Sequence, residues 1–167
     1  MAQKRTLVSK SLDNTAQIAK EFVENLWKSD ENCGKLATIV ALEGDLGAGK
    51  TTFVKAVAQA LGIQKTVTSP TFVLEKVYKF PARLNLTGNL ARFRLDSGFT
   101  HLIHIDAYRL ENGAELLSLG WREMASDPHN IIFIEWPERV AEVLPEKTRM
   151  IRFKFIDETT RVLTIVK

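Results

Sequence analysis

The stretch Gly44-Asp45-Leu46-Gly47-Ala48-Gly49-Lys50-Thr51-Thr52 decides how this chain is read. It follows a near-continuous apolar run, Leu36 to Leu42, of the kind expected of a strand buried on both faces. Behind it lies a helical pattern over about Gly49–Leu61, ended by Gly62. The spacing Gly44-x4-Gly49-Lys50-Thr51, between a strand and a helix, is that of a phosphate-binding P-loop. The chemistry accounts for the residue types. Triphosphate oxygens must approach backbone N–H groups closely, and Cβ atoms would obstruct them. Glycine also reaches the positive φ that turns successive N–H groups inward. The following helix points its positive end at the phosphates. Lys50 supplies a mobile cation to the β- and γ-phosphates, and the Thr51 hydroxyl is a ligand for Mg²⁺. Gly44, Gly47, Ala48, Gly49, Lys50, Thr51 and Thr52 are the expected nucleotide contacts. The alternative, a glycine-rich turn with no ligand, is outweighed by spacing and context together.

A P-loop needs an acidic partner for its metal. Two apolar strands end in a carboxylate, "HLIHID" at Asp106 and "IIFIE" at Glu135. Ligands in open α/β sheets bind at such C-terminal strand ends. One carboxylate is expected to hold Mg²⁺, directly or through water, and the other to orient the attacking water. Position alone does not divide the roles. His101 and His104 are an odd number of residues apart, so a strand sends them to opposite faces. His104 shares the face of Asp106, which leaves two readings: a neighbour supporting the strand-end carboxylate, or a structural histidine with its hydrogen bonds satisfied, the latter preferred. The loop "TSPTF" offers Thr68, Ser69 and Thr71 where a γ-phosphate sensor would sit, and a plain hydrogen-bonded turn is the equal alternative. The guanine-selecting pattern Asn-Lys-x-Asp is absent, which favours ATP over GTP.

The remaining chain supplies the frame. Its 167 residues suit one domain, 1–167. Hydrophobic content of 45% and charged content of 26% are ordinary for a globular protein. A net charge of +3 permits an acidic partner without demanding one. A single cysteine, Cys33, excludes an internal disulfide. No apolar run approaches the length of a membrane span, and the N-terminus lacks a signal-peptide core, so a cytoplasmic protein is expected. Ile18, Phe22 and Leu26 recur every four residues and predict an amphipathic helix from Asp13 to about Trp27. Strands are expected at 5–9 and 72–80, a short helix in "ENGAELLSLG" stopped by Gly120, and another beginning at Pro137. Alternation around a polar turn predicts a terminal hairpin over 148–167. The fold class is α/β, a P-loop NTPase-like three-layer sheet whose central parallel strands carry antiparallel additions.

In chain order, "GDLGAGKTTF", "SPTF", "HIDAYRL", "ELLSLGW" and "IEWPER" resemble the TsaE (YjeE) family of bacterial P-loop ATPases. The likeness covers roughly residues 11–144. It implies work in forming N6-threonylcarbamoyladenosine at position 37 of tRNAs that read codons beginning with A. It also implies a TsaB–TsaD pair as partners, in which TsaD transfers the threonylcarbamoyl group while ATP hydrolysis resets the complex. Carried over by resemblance, Gly47 to Thr52 bind phosphates, and Thr51 and Glu135 ligate Mg²⁺. Asp106 is the essential strand-end aspartate, Thr71 belongs to a switch-like loop and Trp136 reports nucleotide state. Thr15 matches a residue of the adenine pocket.

The chain departs from the family pattern at 81–100, which reads as an inserted β-hairpin carrying Arg83, Arg92 and Arg94. Two readings stay open for it, a solvated ribbon or a contact with TsaD, TsaB or tRNA. The functional alternatives are a P-loop kinase for a small molecule, with the arginine ribbon imitating a lid, and a nucleotide-dependent binding switch with negligible hydrolysis. Whether Arg109, Arg139 or a partner's charge acts at the γ-phosphate is also left open.

Overall fold

The computed structural model describes residues 4–26, 35–63, 65, 67–70, 73–81 and 98–166. Seven strands form one sheet: β1 (Lys4–Ser9), β2 (Thr38–Glu43), β3 (Glu75–Lys79), β4 (His101–Asp106), β5 (Asn130–Glu135), β6 (Arg149–Phe155) and β7 (Arg161–Val166). Their spatial order is β1-β7-β6-β2-β5-β4-β3. The central strands β4, β5, β2 and β6 run parallel, while β3, β7 and β1 pair antiparallel at the flanks. The helices are α1 (Leu12–Leu26), α2 (Lys50–Ala60), α3 (Gly113–Ser118) and α4 (Trp121–Ser126). Central parallel strands with antiparallel additions match the expected class.

Two apolar layers explain the unbroken hydrophobic runs. On one face, Ile18, Phe22 and Leu26 of α1 and Phe53, Val54 and Val57 of α2 pack on Val40, Leu42, Ile131 and Phe133. Phe22 and Phe53 meet edge to face at 5.6 Å, as do Phe53 and Phe153. On the other, Leu116 of α3 and Trp121 of α4 pack on Ile39, Ala41, Ile132 and Ile134. Ile39 to Leu42 of β2 and Ile131 to Ile134 of β5 each face one core or the other, so the middle of neither strand alternates with polar residues.

The register positions the site. Asp106 pairs with Glu135 across β4–β5, and Glu135 with Leu42 across β5–β2. The C-terminal ends of three parallel strands thus meet where the loop to α2 leaves the sheet. Strands lie on both sides of β2, and a crevice opens at such a point.

Three elements differ from expectation. Gly120 does not end the helical region: at φ +84° it is a left-handed joint, and α4 follows at once. Helix α2 starts at Lys50 and not Gly49, because Gly49 at φ +102° lies outside helical geometry. Of the strand expected at 72–80, the described residues form Glu75–Lys79, and position 72 lies outside them. The ribbon arginines Arg83, Arg92 and Arg94 lie outside the described residues, as do Thr71 and Cys33.

Candidate functional site

The loop after β2 takes positive φ at Gly44, Gly47 and Gly49. These glycines do different things. Gly47 and Gly49 line the cleft above the loop. Gly44, read from sequence as a nucleotide contact, lines neither part of it. A Cβ there would lie 2.6 Å from the Phe153 carbonyl oxygen, so the residue lets β6 approach the loop. Gly44→Ala combines that overlap with φ +148°. It is expected to cost roughly 2–5 kcal/mol and to lower the melting temperature by roughly 5–15 °C. Thermal melting checks this, and an unchanged midpoint would show that β6 can retreat.

Lys50 opens α2 and is 4% exposed, although it carries a charge. Its Nζ donates to the Gly44 oxygen at 2.5 Å and the Asp45 oxygen at 3.0 Å. The Trp136 ring covers it, with Nζ 4.1 Å from the centroid. Trp136 itself sits at φ 58°, an unfavourable conformation for a bulky residue. Its N–H donates to Leu42 O at 3.3 Å, and its ring lies 5.0 Å from that of Tyr108. Burial pushes the Lys50 amino group below its usual range, against the charges of Glu135, Asp106, Glu138 and Asp45. Bound phosphate would add negative charge and raise it again. Nucleotide binding at alkaline pH is therefore expected to take up protons, in the window above the lowered value of the free protein. Calorimetry in two buffers of different ionisation heat measures the sign, and proton release would contradict the reading.

Thr51 and the two carboxylates meet as the register requires. Thr51 Oγ1 donates to Glu135 Oε1 at 2.7 Å. Asp106 is 4% exposed, and its Oδ1 accepts from Tyr108 N at 3.0 Å, capping the turn Ala107–Arg109. Glu135 is 3% exposed. His104 is wholly buried, with Nε2 2.8 Å from Glu135 Oε1 and Nδ1 without a hydrogen-bond partner among the described residues. Of the two sequence readings of His104, the contact with Glu135 agrees with a neighbour of the strand-end carboxylates, while the unmet Nδ1 departs from a histidine with all its hydrogen bonds satisfied. His101 is on the opposite face, with Nδ1 2.8 Å from Thr100 Oγ1. Backbone bonds tie the "TSP" loop to this corner. Leu74 N donates to Pro70 O, and Asp106 N to Leu74 O at 2.9 Å. Lys76 Nζ donates to Thr68 Oγ1 and Ser69 O.

The cleft has two compartments joined at Gly47, Gly49 and Thr52. The inner one, about 270 Å³, reaches Lys50, Thr51, Asp106, Glu135 and Trp136. The outer one, about 500 Å³, lies between the start of α1, Ala48 and the terminal hairpin. Thr15 lines it, but its hydroxyl is engaged with Ser9 Oγ at 2.7 Å and Ser11 O at 3.2 Å. Thr15 therefore shapes the wall and holds β1 to α1. Sequence reasoning missed the opposite wall. Arg161 packs its stem over Gly49, lies 4.4 Å from the Phe155 ring, and donates to the oxygens of Asp157 and Thr160. The turn below is fixed by Asp157, whose carboxylate accepts from Thr159 and Thr160; those bonds hold its pKa below the usual range. No local signal marks Arg161, because its place depends on β6 pairing beside β2. Tyr108 was legible, two residues beyond Asp106 in the quoted motif.

The fold and this cleft define a P-loop protein with acidic residues at the ends of adjoining strands. The family described as "Threonylcarbamoyl adenosine biosynthesis protein TsaE" matches residues 9–163. A protein of Treponema pallidum called tRNA threonylcarbamoyladenosine biosynthesis protein TsaE is 37% identical over 128 residues, 77% of this chain and 81% of that one. Its namesake in Rickettsia prowazekii is 32% identical over 163 residues, 97% and 93% of the two chains. A crystal structure of YdiB from Bacillus subtilis superposes with a TM-score of 0.68 at 27% identity, covering 99% of this chain and 86% of that one. The chain belongs to the TsaE family. No described helix is long and apolar enough to cross a membrane.

Proposed function

We propose that this chain binds ATP with Mg²⁺ and hydrolyses it, serving the formation of N6-threonylcarbamoyladenosine in tRNA beside TsaB and TsaD in the cytoplasm. The observation that carries the reading is the contact between Thr51 Oγ1 and Glu135 Oε1, 2.7 Å long, beside a buried, charged Lys50. Thr51 and Glu135 offer two adjacent hard oxygens, the donor type Mg²⁺ takes while borrowing the rest of its shell from phosphates and water. They would hold the ion, whose chemistry is to neutralise charge on the β- and γ-phosphates.

Each remaining residue has a separable task. The N–H groups of Gly47 to Thr52 receive phosphate oxygens at the start of α2. Lys50 exchanges the Gly44 and Asp45 carbonyls for β- and γ-oxygens. Asp106, at the neighbouring strand end, is placed to accept a hydrogen bond from the attacking water and aim it. Thr71 is assigned to sensing the γ-phosphate through the loop tied to Asp106. Trp136 and Tyr108 screen the reacting end from solvent. The outer compartment takes the nucleoside, with Thr15 in its wall. The tRNA is contacted directly or through the protein pair.

The family name of the relatives supports the pathway, and the geometry supports the nucleotide chemistry. The test is tRNA modification by a TsaB–TsaD pair over many turnovers, with and without this chain and ATP. Modification that continues past the first turnover only when both are present supports the reading. Equal yields without the chain would defeat it.

A further inference from the structure

We propose that His104 is a positioning residue: its imidazole holds the Glu135 carboxylate toward Thr51 and thereby sets the affinity of the site for a divalent cation. The proposal rests on the nucleotide reading above and deepens it. Two donors converge on one oxygen. Thr51 Oγ1 reaches Glu135 Oε1 at 2.7 Å, and His104 Nε2 reaches it at 2.8 Å. An ionised carboxylate only accepts, so Nε2 carries the proton in this contact. Glu135 Oε2 takes no hydrogen bond from a described residue and is left for a further ligand. His104 sits one step below Asp106 on the same face of β4, and the register sets Asp106 against Glu135. The ring therefore approaches the carboxylate from the core side, opposite the cleft.

The unmet nitrogen argues against a packing role. Buried polar atoms are nearly all hydrogen-bonded, yet Nδ1 has no partner among the described residues. A leucine or phenylalanine would fill similar space without that cost. What they lack is the one polar side-chain contact His104 makes among the described residues, to Glu135. The second consideration is what Glu135 would do untethered. Thr51 is its other hold, and Thr51 is the residue a cation would claim. The nearby Lys50 attracts the carboxylate, and Glu135 is the foremost charge acting on that amine. Without His104, and with Thr51 turned to the cation, neither of these two contacts of Glu135 would hold the carboxylate in place, and the cation would be left with one firmly placed protein oxygen.

The test uses the full chain. ADP affinity is titrated, by calorimetry and by Trp136 fluorescence, in EDTA and across a Mg²⁺ series, for the wild type, His104→Leu and His104→Gln. The expected result is unchanged affinity in EDTA and a Mg²⁺ midpoint raised roughly 10- to 100-fold in His104→Leu. His104→Gln, whose amide N–H can stand near the place of Nε2, recovers most of the loss. Equal Mg²⁺ midpoints in wild type and His104→Leu would overturn the proposal. Equal losses in both variants, or weakened binding already in EDTA, would overturn it in favour of packing. Should His104→Leu not fold, the imidazole nitrogen shifts of the wild type decide. A proton on Nε2 supports the proposal, and a proton on Nδ1 with bare Nε2 overturns it. A wild type that binds no nucleotide in EDTA or Mg²⁺ would defeat the nucleotide reading itself and this proposal with it. That failure is recognised because it precedes any substitution.

Discussion

Lys50→Ala is expected to cut ATP turnover by a factor of roughly 100 to 1,000 while leaving the fold intact. The two expectations have the same origin. Lys50 holds its charge in a place 4% exposed, against backbone carbonyls and an aromatic face. That burial lowers its pKa, which means the folded state pays for keeping it charged. Removing the side chain relieves that cost and loses two hydrogen bonds, so the melting temperature should move little. Chemistry has no such compensation. Charge gathers on the γ-phosphoryl oxygens in the transition state, and a fixed cation in a low-dielectric cleft acts most strongly there. Phosphate release and thermal melting, measured on one preparation, check both halves. Near-normal turnover in the folded variant would remove Lys50 from the site.

The second large effect separates the carboxylates. Glu135→Gln keeps the size of the side chain but weakens its hold on a cation, and it disturbs an oxygen shared by Thr51 and His104. Its activity should need much more Mg²⁺, with turnover partly restored when Mg²⁺ is raised. Asp106→Asn keeps an oxygen that can cap Tyr108 N. It should leave ADP affinity and Mg²⁺ dependence near the wild type and lower turnover by roughly 100-fold or more, the pattern of an interaction made only in the transition state. Nucleotide affinity and turnover across a Mg²⁺ series give both profiles. Identical profiles would mean that the two residues share one task.

The centre of the fold was legible because local chemistry alone determines it. Strands β2 and β5 face an apolar layer on each side, so their runs are unbroken, and α1 repeats Ile18, Phe22 and Leu26 on its buried face. The loop at 44–52 carries its signal in glycine spacing. Other features depend on pairings far apart in sequence. The role of Gly44 as a gap for β6 needs the β2–β6 neighbourhood. Arg161 reaches the cleft only because β7 pairs with β6. Position alone left Asp106 and Glu135 interchangeable as strand-end acids, with only the family resemblance setting Glu135 beside the metal, and the helix register of Thr51 puts its hydroxyl on Glu135. Helix α4 was missed because Gly120 serves equally as a stop and as a joint. The buried contact of His104 was half visible, since periodicity gave its face but not its partner.

The most direct measurement is phosphate release from ATP by the purified full chain, with and without Mg²⁺, first alone and then with a TsaB–TsaD pair. The account predicts slow, Mg²⁺-dependent release alone and faster release with the pair. A folded chain that releases no phosphate under either condition would contradict it, and transfer of the phosphoryl group to a small metabolite would favour a kinase.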